Sequence, residues 1–382
     1  MKMPWRDAAI VGVGATKQGK LPDETPLSLA AEAFRLALAD SGINKDEVDG
    51  LLTQPGTTSP EGSKNYLALG ELLGVNPRFT GSLTLGGATG CALVQMAALA
   101  VASGMAQVVA CIFADTARTG GSRFAGSAGG EEPWGMWGMF GNAANSAMGF
   151  RRHMSLFAST SEHLGWVAVT CRSHAAMNPN AIMRDPISIA DHQASRMIVE
   201  PLRLLDCCLI SDGAVAVLVT SPARARDCKP SPVYIWGMGQ GHTLENLRRR
   251  DWWYLPHQKD CVAAAYRMAG VGPRDIRVAQ LYDNFTVAVL FWLEHAGFCA
   301  QGESGPYVEG GERIKIGGTG IPINTAGGNL SESYMQGWLH IVEGVRQVRG
   351  ECGPRQVKDA EPCLITGRGM TLNTASCLIL GR

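Results

Sequence analysis

The apolar positions fall into short unbroken runs that end in glycine and longer Ala-rich stretches with helical spacing, and the two kinds alternate. Ala8-Ala9-Ile10-Val11-Gly12-Val13-Gly14 reads as a buried strand, and Val233-Tyr234-Ile235-Trp236-Gly237-Met238-Gly239 repeats it in the second half. Each is followed by a helical pattern, about Leu27 to Asp40 and about Cys261 to Met268. Gly42 and Gly270 stand at the expected helix stops. Both halves then carry an acidic stretch into a strand, Asp46-Glu47-Val48-Asp49-Gly50-Leu51-Leu52 and Arg274-Asp275-Ile276-Arg277-Val278-Ala279-Gln280-Leu281. Farther on, Gly86-Gly87 precedes a helix from Ala92 to Ser103, and Gly327-Gly328 precedes one from Tyr334 to Arg346. Strand and helix in the same order twice predict two similar α/β halves, residues 1–225 and 226–382, packed together with the two Gly-Gly helices at the centre. The first half also holds a long insertion, about Thr116 to Asp206, rich in Gly, Met and Trp. Its Trp134-Gly135-Met136-Trp137-Gly138-Met139-Phe140-Gly141 suits an acyl pocket, a partner surface or simple packing under a loop.

Composition narrows the class. With 46% hydrophobic and 18% charged residues the chain is an ordinary globular protein, and its 34 basic and 34 acidic residues set up no field that would gather nucleic acid or anionic lipid. No apolar run reaches the ~18 residues needed to cross a bilayer, so no membrane segment is expected. The 11 cysteines follow no CxxC or zinc-ligand rhythm and no signal-type segment opens the chain, so reduced thiols and a cytoplasmic location are expected.

Two familiar chemistries fail on spacing. Gly12-Val13-Gly14-Ala15-Thr16-Lys17 follows a strand as a dinucleotide fingerprint would, but Lys17 replaces the third glycine and the helix starts ten residues later. His163, His174 and His192 are not spaced as metal ligands, so no metal is expected. Arg248-Arg249-Arg250-Asp251-Trp252-Trp253 is a basic, aromatic cluster that would suit a 3′-phosphoadenosine, an acidic partner or plain solvent, with Arg248 a candidate substrate contact.

The segments with most chemistry are Leu281-Tyr282-Asp283-Asn284-Phe285-Thr286 and Gly327-Gly328-Asn329-Leu330-Ser331-Glu332-Ser333-Tyr334. Taken with Ile10 to Gly14, Asp212-Gly213-Ala214 and the glycine-rich Thr366-Gly367-Arg368-Gly369-Met370, they resemble the thiolase superfamily over essentially the whole chain, and most of all its sterol-carrier-protein-like, lipid-transfer branch. In sterol-carrier thiolases the first segment reads His-Asp-Cys-Phe and the second Gly-Gly-x-x-Ser-x-Gly-His-Pro. Here Tyr282 and Tyr334 stand for the histidines and Asn284 for the acid/base cysteine. Counting back from Gly104-Met105-Ala106-Gln107-Val108-Val109 puts Gly87 where the nucleophilic cysteine belongs. Cys91 lies one helical turn, about 5 to 6 Å, farther in.

The resemblance implies a thiolase fold: two βαβαβαββ halves in five layers, αβαβα, with the insertion as a loop domain. It also implies a homodimer, and a small OB-fold zinc-ribbon partner of the kind used by the branch's steroid side-chain aldolases. With no cysteine nucleophile, the favoured activity is retro-aldol cleavage of a β-hydroxyacyl-CoA in lipid, steroid or aromatic acyl breakdown, with coenzyme A thioester as substrate and no covalent cofactor. Tyr282 and Tyr334 would move protons if the site lowers a phenol's pKa toward neutrality, Asp283 and Asn329 would orient them, and backbone N–H groups at Gly87, Gly327 and Gly328 would face the thioester oxygen. A β-ketoacyl-CoA thiolase using Cys91 and a non-catalytic lipid-carrying or scaffold subunit are the alternatives.

Overall fold

In the computed structural model, residues 6–121, 141–243, 256–369 and 373–382 are described. Arg248, the basic cluster around it and the Trp134 to Phe140 run lie outside them. The elements, in chain order, are β1 (Ala9–Ala15), α1 (Pro26–Ser41), β2 (Gly50–Gln54), α2 (Asn65–Leu73), β3 (Phe79–Ser82), α3 (Thr89–Ala102), β4 (Val108–Thr116), α4 (Gly141–Phe157), α5 (Ser161–Ala176), α6 (Ile189–Ala194), β5 (Met197–Val199), β6 (Leu202–Arg203), β7 (Asp212–Thr220) and α7 (Pro222–Ala225). They continue with β8 (Val233–His242), α8 (Pro256–Ala269), β9 (Val278–Gln280), α9 (Thr286–His295), α10 (Ser304–Val308), α11 (Gly328–Ser331), α12 (Trp338–Arg349), β10 (Cys363–Gly369) and β11 (Thr374–Gly381).

The main sheet has the order β3-β2-β4-β7-β1-β8-β11-β10-β9. Numbered by occurrence, the first five strands lie as 3-2-4-5-1. The remaining strands mirror this across a short antiparallel seam, Ala9 opposite Tyr234 and Ile10 opposite Val233, with Ile323 bridging Ala279 in parallel where a third strand belongs. In each set the first two pairings inward from the edge are parallel, counting the Ile323 bridge in the second, and the next two antiparallel. Two like sets with the same element order are what the resemblance implies.

Local chemistry explains the elements that hold the site. Helix α1 starts at a Thr25 cap with Pro26 in its first turn and ends at Gly42, φ 75°. Asp49 does more than lead into a strand: its Oδ1 accepts from the N–H groups of Gln107 and Val108, and its Oδ2 pairs with Arg78, stapling β2 to the start of β4. Helix α3 is apolar nearly all round and buried, as a central helix must be. Its one long polar group, Gln95, donates to Gly239 O and Cys377 O and so reaches across to the second set of strands. Helix α12 lies against α3, where a Cβ on Gly90 would meet Trp338 and Ile341 at 3.2 Å. Trp338 stacks on Phe113 and donates to Gln54 at 2.7 Å.

Two expectations need correction. No helix runs from Tyr334 to Arg346; Gln336 (φ 48°) and Gly337 (φ 85°) adopt left-handed backbone, so the helix begins only at Trp338 and Tyr334 lies on the connection after α11. The insertion is largely helical where described, because Thr160 and Ser188 cap α5 and α6 with reciprocal hydrogen bonds and α5 buries one apolar face.

Candidate active site

The stretch just after the insertion, residues 207–211, holds the two motif segments together. Cys208 N–H donates to Asn284 O, Leu209 N–H to Asn329 O, both at 3.0 Å, and Tyr334 N–H to Ser211 Oγ at 3.4 Å. Thr286 Oγ1 and His192 both bond Asp206 Oδ1, fixing the turn into α9. On the opposite side Tyr282 N–H donates to Thr366 Oγ1 on β10.

Held this way, Tyr282 and Tyr334 meet hydroxyl to hydroxyl at 3.1 Å. Tyr282 is fully buried and Tyr334 half-buried. A Cβ on Gly87 would stand 2.0 Å from the Tyr282 hydroxyl oxygen, so the phenol fills the place where a side chain at 87 would be. Tyrosine at 282 in this pose therefore requires glycine at 87. Asp283 is buried; its Oδ1 accepts from Asn329 N–H at 2.9 Å and from His340 Nε2 at 3.0 Å, a carboxylate having only acceptors to offer. Its Oδ2 has no hydrogen-bond partner among the described residues, and a Cβ on Gly328 would come within 2.1 Å of it. Asn329 and Asp283 thus support each other and the turn, while Asn284 Oδ1 accepts from Arg368 Nη2 at 3.1 Å.

The site does not lower its phenols. Burial pushes Tyr282 up, against the pull of Arg368 and the Tyr334 hydrogen bond, and burial pushes Tyr334 well up too. A resting phenolate is therefore disfavoured. Cys91 is also misplaced for a substrate contact. Its side chain packs in the core beside Ser376 and Cys377, and burial pushes its thiol up. Gly327 N–H is occupied by Asn324 O, so it faces no substrate. Gly87, Gly328, Asn284, Tyr282, Tyr334, Asp283 and Asn329 are brought together; Cys91 is not. Sequence reasoning missed His340 and Ser211, single residues with no motif to mark them, and gave no role to Thr366 and Arg368 although both lie in the glycine-rich segment. Among the described residues no three His, Cys, Asp or Glu gather as a metal-holding set.

Just behind Tyr334, Glu332 lines a cavity of about 500 Å³ with Lys17, Gln18, Asn180 and Arg346. Burial and the nearby Glu343 push its carboxyl up to about 8, against Arg355, the Asn178 hydrogen bond and Arg346. A folded-state value above the unfolded one gives stability that is present at low pH and lost as pH rises from about 4.5 to about 8. Replacing the carboxyl by an amide removes that loss. Glu332→Gln should match the parent in chemical denaturation at pH 5 and exceed it at pH 9, by on the order of 3 kcal/mol; a difference independent of pH would count against the assignment.

The fold and the exchanged site define a thiolase-fold protein built without the thiolase nucleophile. Known proteins agree. Residues 239–382 match a family model described as thiolase C-terminal domain-like. A steroid side-chain-cleaving aldolase of Thermomonospora curvata is 41% identical over 392 residues, covering 98% of this chain and 97% of that protein. A 17-hydroxy-3-oxo-4-pregnene-20-carboxyl-CoA lyase of Mycobacterium tuberculosis is 42% identical over 393 residues, covering 98% and 99%. The solved structure of an Ltp2-ChsH2(DUF35) aldolase superposes with a TM-score of 0.88 at 40% identity, over 98% of this chain and 97% of that one. The chain belongs to the thiolase superfamily, in its sterol-carrier-protein-like aldolase branch.

Proposed function

We propose that the chain is a carbon–carbon lyase that cleaves a β-hydroxyacyl-CoA by a retro-aldol reaction, with the tyrosine pair as its proton relay. The observation that carries this is the 3.1 Å contact between Tyr282 and Tyr334 in the space a thiolase gives to cysteine. As the Cα–Cβ bond breaks, its electron pair passes to the thioester as an enolate and the β-hydroxyl becomes a carbonyl. The hydroxyl proton goes to Tyr334, Tyr334 hands its own to Tyr282, and Tyr282 protonates the α-carbon. The products are a ketone or aldehyde and a shorter acyl-CoA. Because each phenol receives a proton as it gives one up, neither has to exist as phenolate, which reconciles the relay with the upward pull of burial. Asp283 and Asn329, braced by His340, hold the turn, and the Asn284 amide with backbone at Gly87 and Gly328 serves the developing oxyanion.

The reaction needs nothing beyond the CoA thioester itself. Both relatives carry steroid substrates in their names, which supports a steroid side chain as the acyl group. The ChsH2(DUF35) component of the solved relative supports a small OB-fold zinc-ribbon partner. The short edge strand β3 would pair two copies into a homodimer, the division into halves falls near residue 226, and the location is cytoplasmic. No helix among the described residues is long and apolar enough to cross a membrane.

The test is to incubate a β-hydroxyacyl-CoA with the purified chain, alone and co-expressed with such a partner. Ketone or aldehyde should appear without added coenzyme A, and faster with the partner. Turnover that requires free coenzyme A would instead indicate a thiolase, and no turnover in either preparation a scaffold.

A further inference from the structure

β10 meets the catalytic segment at two points with strand spacing. Thr366 receives the Tyr282 N–H, and Arg368, two residues along and on the same face, donates to the Asn284 side chain. Arg368 is 3% exposed, and among the described residues it has no carboxylate partner. Arg355, also buried, pairs with Glu343 at 3.0 Å, and the half-buried Arg349 with Asp40 at 2.9 Å; Arg172 bonds two neutral oxygens, Ser331 Oγ and the Asp185 carbonyl, but among the described residues only Arg368 does so against the catalytic segment. A buried guanidinium with only a neutral amide for company is costly to keep, and a cation so placed is most useful where negative charge forms during a reaction. Burial draws Arg368 down to about 10 while the Tyr282 phenol acts in the opposite sense, so the two lie within electrostatic reach.

The contact also decides which way the amide points. A guanidinium has only donors, so it must face Oδ1, and the Asn284 NH₂ then faces elsewhere. Asn284 stands between Asp283 and Phe285 on the segment that carries Tyr282, and is itself only partly buried.

We propose that Arg368 is a positioning residue for the cleavage: it fixes the Asn284 amide so that Nδ2 donates to the thioester oxygen, and its unpaired charge offsets the enolate that forms there. This rests on the lyase reading for its substrate, but enolate formation can be read separately. A simple acyl-CoA without a β-hydroxyl cannot be cleaved, yet its α-hydrogens exchange with deuterium oxide when the enolate is stabilised and the relay runs in reverse, Tyr282 taking the α-proton as it gives its own to Tyr334 and the half-buried Tyr334 passes one to solvent.

Two measurements on the full chain, with its partner if needed for activity, therefore run in parallel: steady-state cleavage, and α-deuterium exchange of a simple acyl-CoA followed by NMR. Arg368→Met should lower kcat and the exchange rate each by about 10²-fold with KM changed less than about threefold, the scale of losing one oxyanion donor. Arg368→Lys, which keeps charge without the planar fork, should fall between Met and the parent. Asn284→Ala should cost about as much as Arg368→Met, and combining the two should add little, since both act on one hydrogen bond. Exchange that depends on Arg368 in a parent that cleaves nothing would retain this proposal and remove the lyase reading. Unchanged exchange and kcat in Arg368→Met would overturn the proposal, as would no exchange in the parent. So would equal losses in the Met and Lys variants that track a lowered melting temperature.

Discussion

Tyr334→Phe and Tyr282→Phe should each lose roughly 10²- to 10⁴-fold in kcat while KM and melting temperature stay near the parent values. The two hydroxyls contact each other at 3.1 Å, so removing either interrupts the same relay, and the double variant should be little worse than the poorer single one. Phenylalanine retains the ring that packs in the core beside Leu281 and Phe285, so the fold has no reason to give way. Steady-state kinetics with the three variants decide the matter. Full activity in either single variant would mean that the tyrosines merely occupy the room left by histidine.

Gly87→Ala should have an effect as large, through geometry. The added methyl would stand 2.0 Å from the Tyr282 hydroxyl oxygen and 2.1 Å from Cζ, and the ring is buried on all sides. Either the phenol or the start of α3 must shift, so turnover should fall roughly 10³-fold, since an ångström of misplacement is enough to break a proton relay. Stability should fall by about 1–3 kcal/mol, as for other overpacked sites. A Gly87→Ala variant with parental activity would show that this contact has no part in the chemistry.

Much of the frame was readable from the chain because it depends on local rules. Glycine-ended apolar runs gave β1 and β8, and Thr25, Pro26 and Gly42 delimit α1. The motif segments named the two tyrosines. What stayed hidden depended on three-dimensional neighbours. That Gly87 is required by Tyr282 could not be seen, since residues far apart in sequence share one space. Whether the site meets the condition of a lowered phenol is not legible in the sequence, because residue type says nothing of burial, and here desolvation outweighs the help of Arg368. His340 carries no motif, and the glycine-rich segment around Arg368 does not say where its side chain goes; only the packing of α12 and the alternation of β10 aim the two at Asp283 and Asn284. The helix boundary at Tyr334 failed for a backbone reason, since Gln336 is a non-glycine residue in left-handed conformation and nothing in its type announces it. Cys91 shows the converse. Its position one turn from the nucleophile site looked suggestive, yet α3 turns it into the core beside Ser376 and Cys377.

The most direct measurement is a single turnover of β-hydroxyacyl-CoA in deuterium oxide, quenched and analysed by mass spectrometry of both product and protein. A tyrosine relay predicts a shorter acyl-CoA carrying one deuterium at its α-carbon, a stoichiometric ketone or aldehyde, no need for free coenzyme A, and no acyl mass on any protein peptide. An acyl group bound to the peptide that contains Cys91, discharged only when coenzyme A is added, would contradict it.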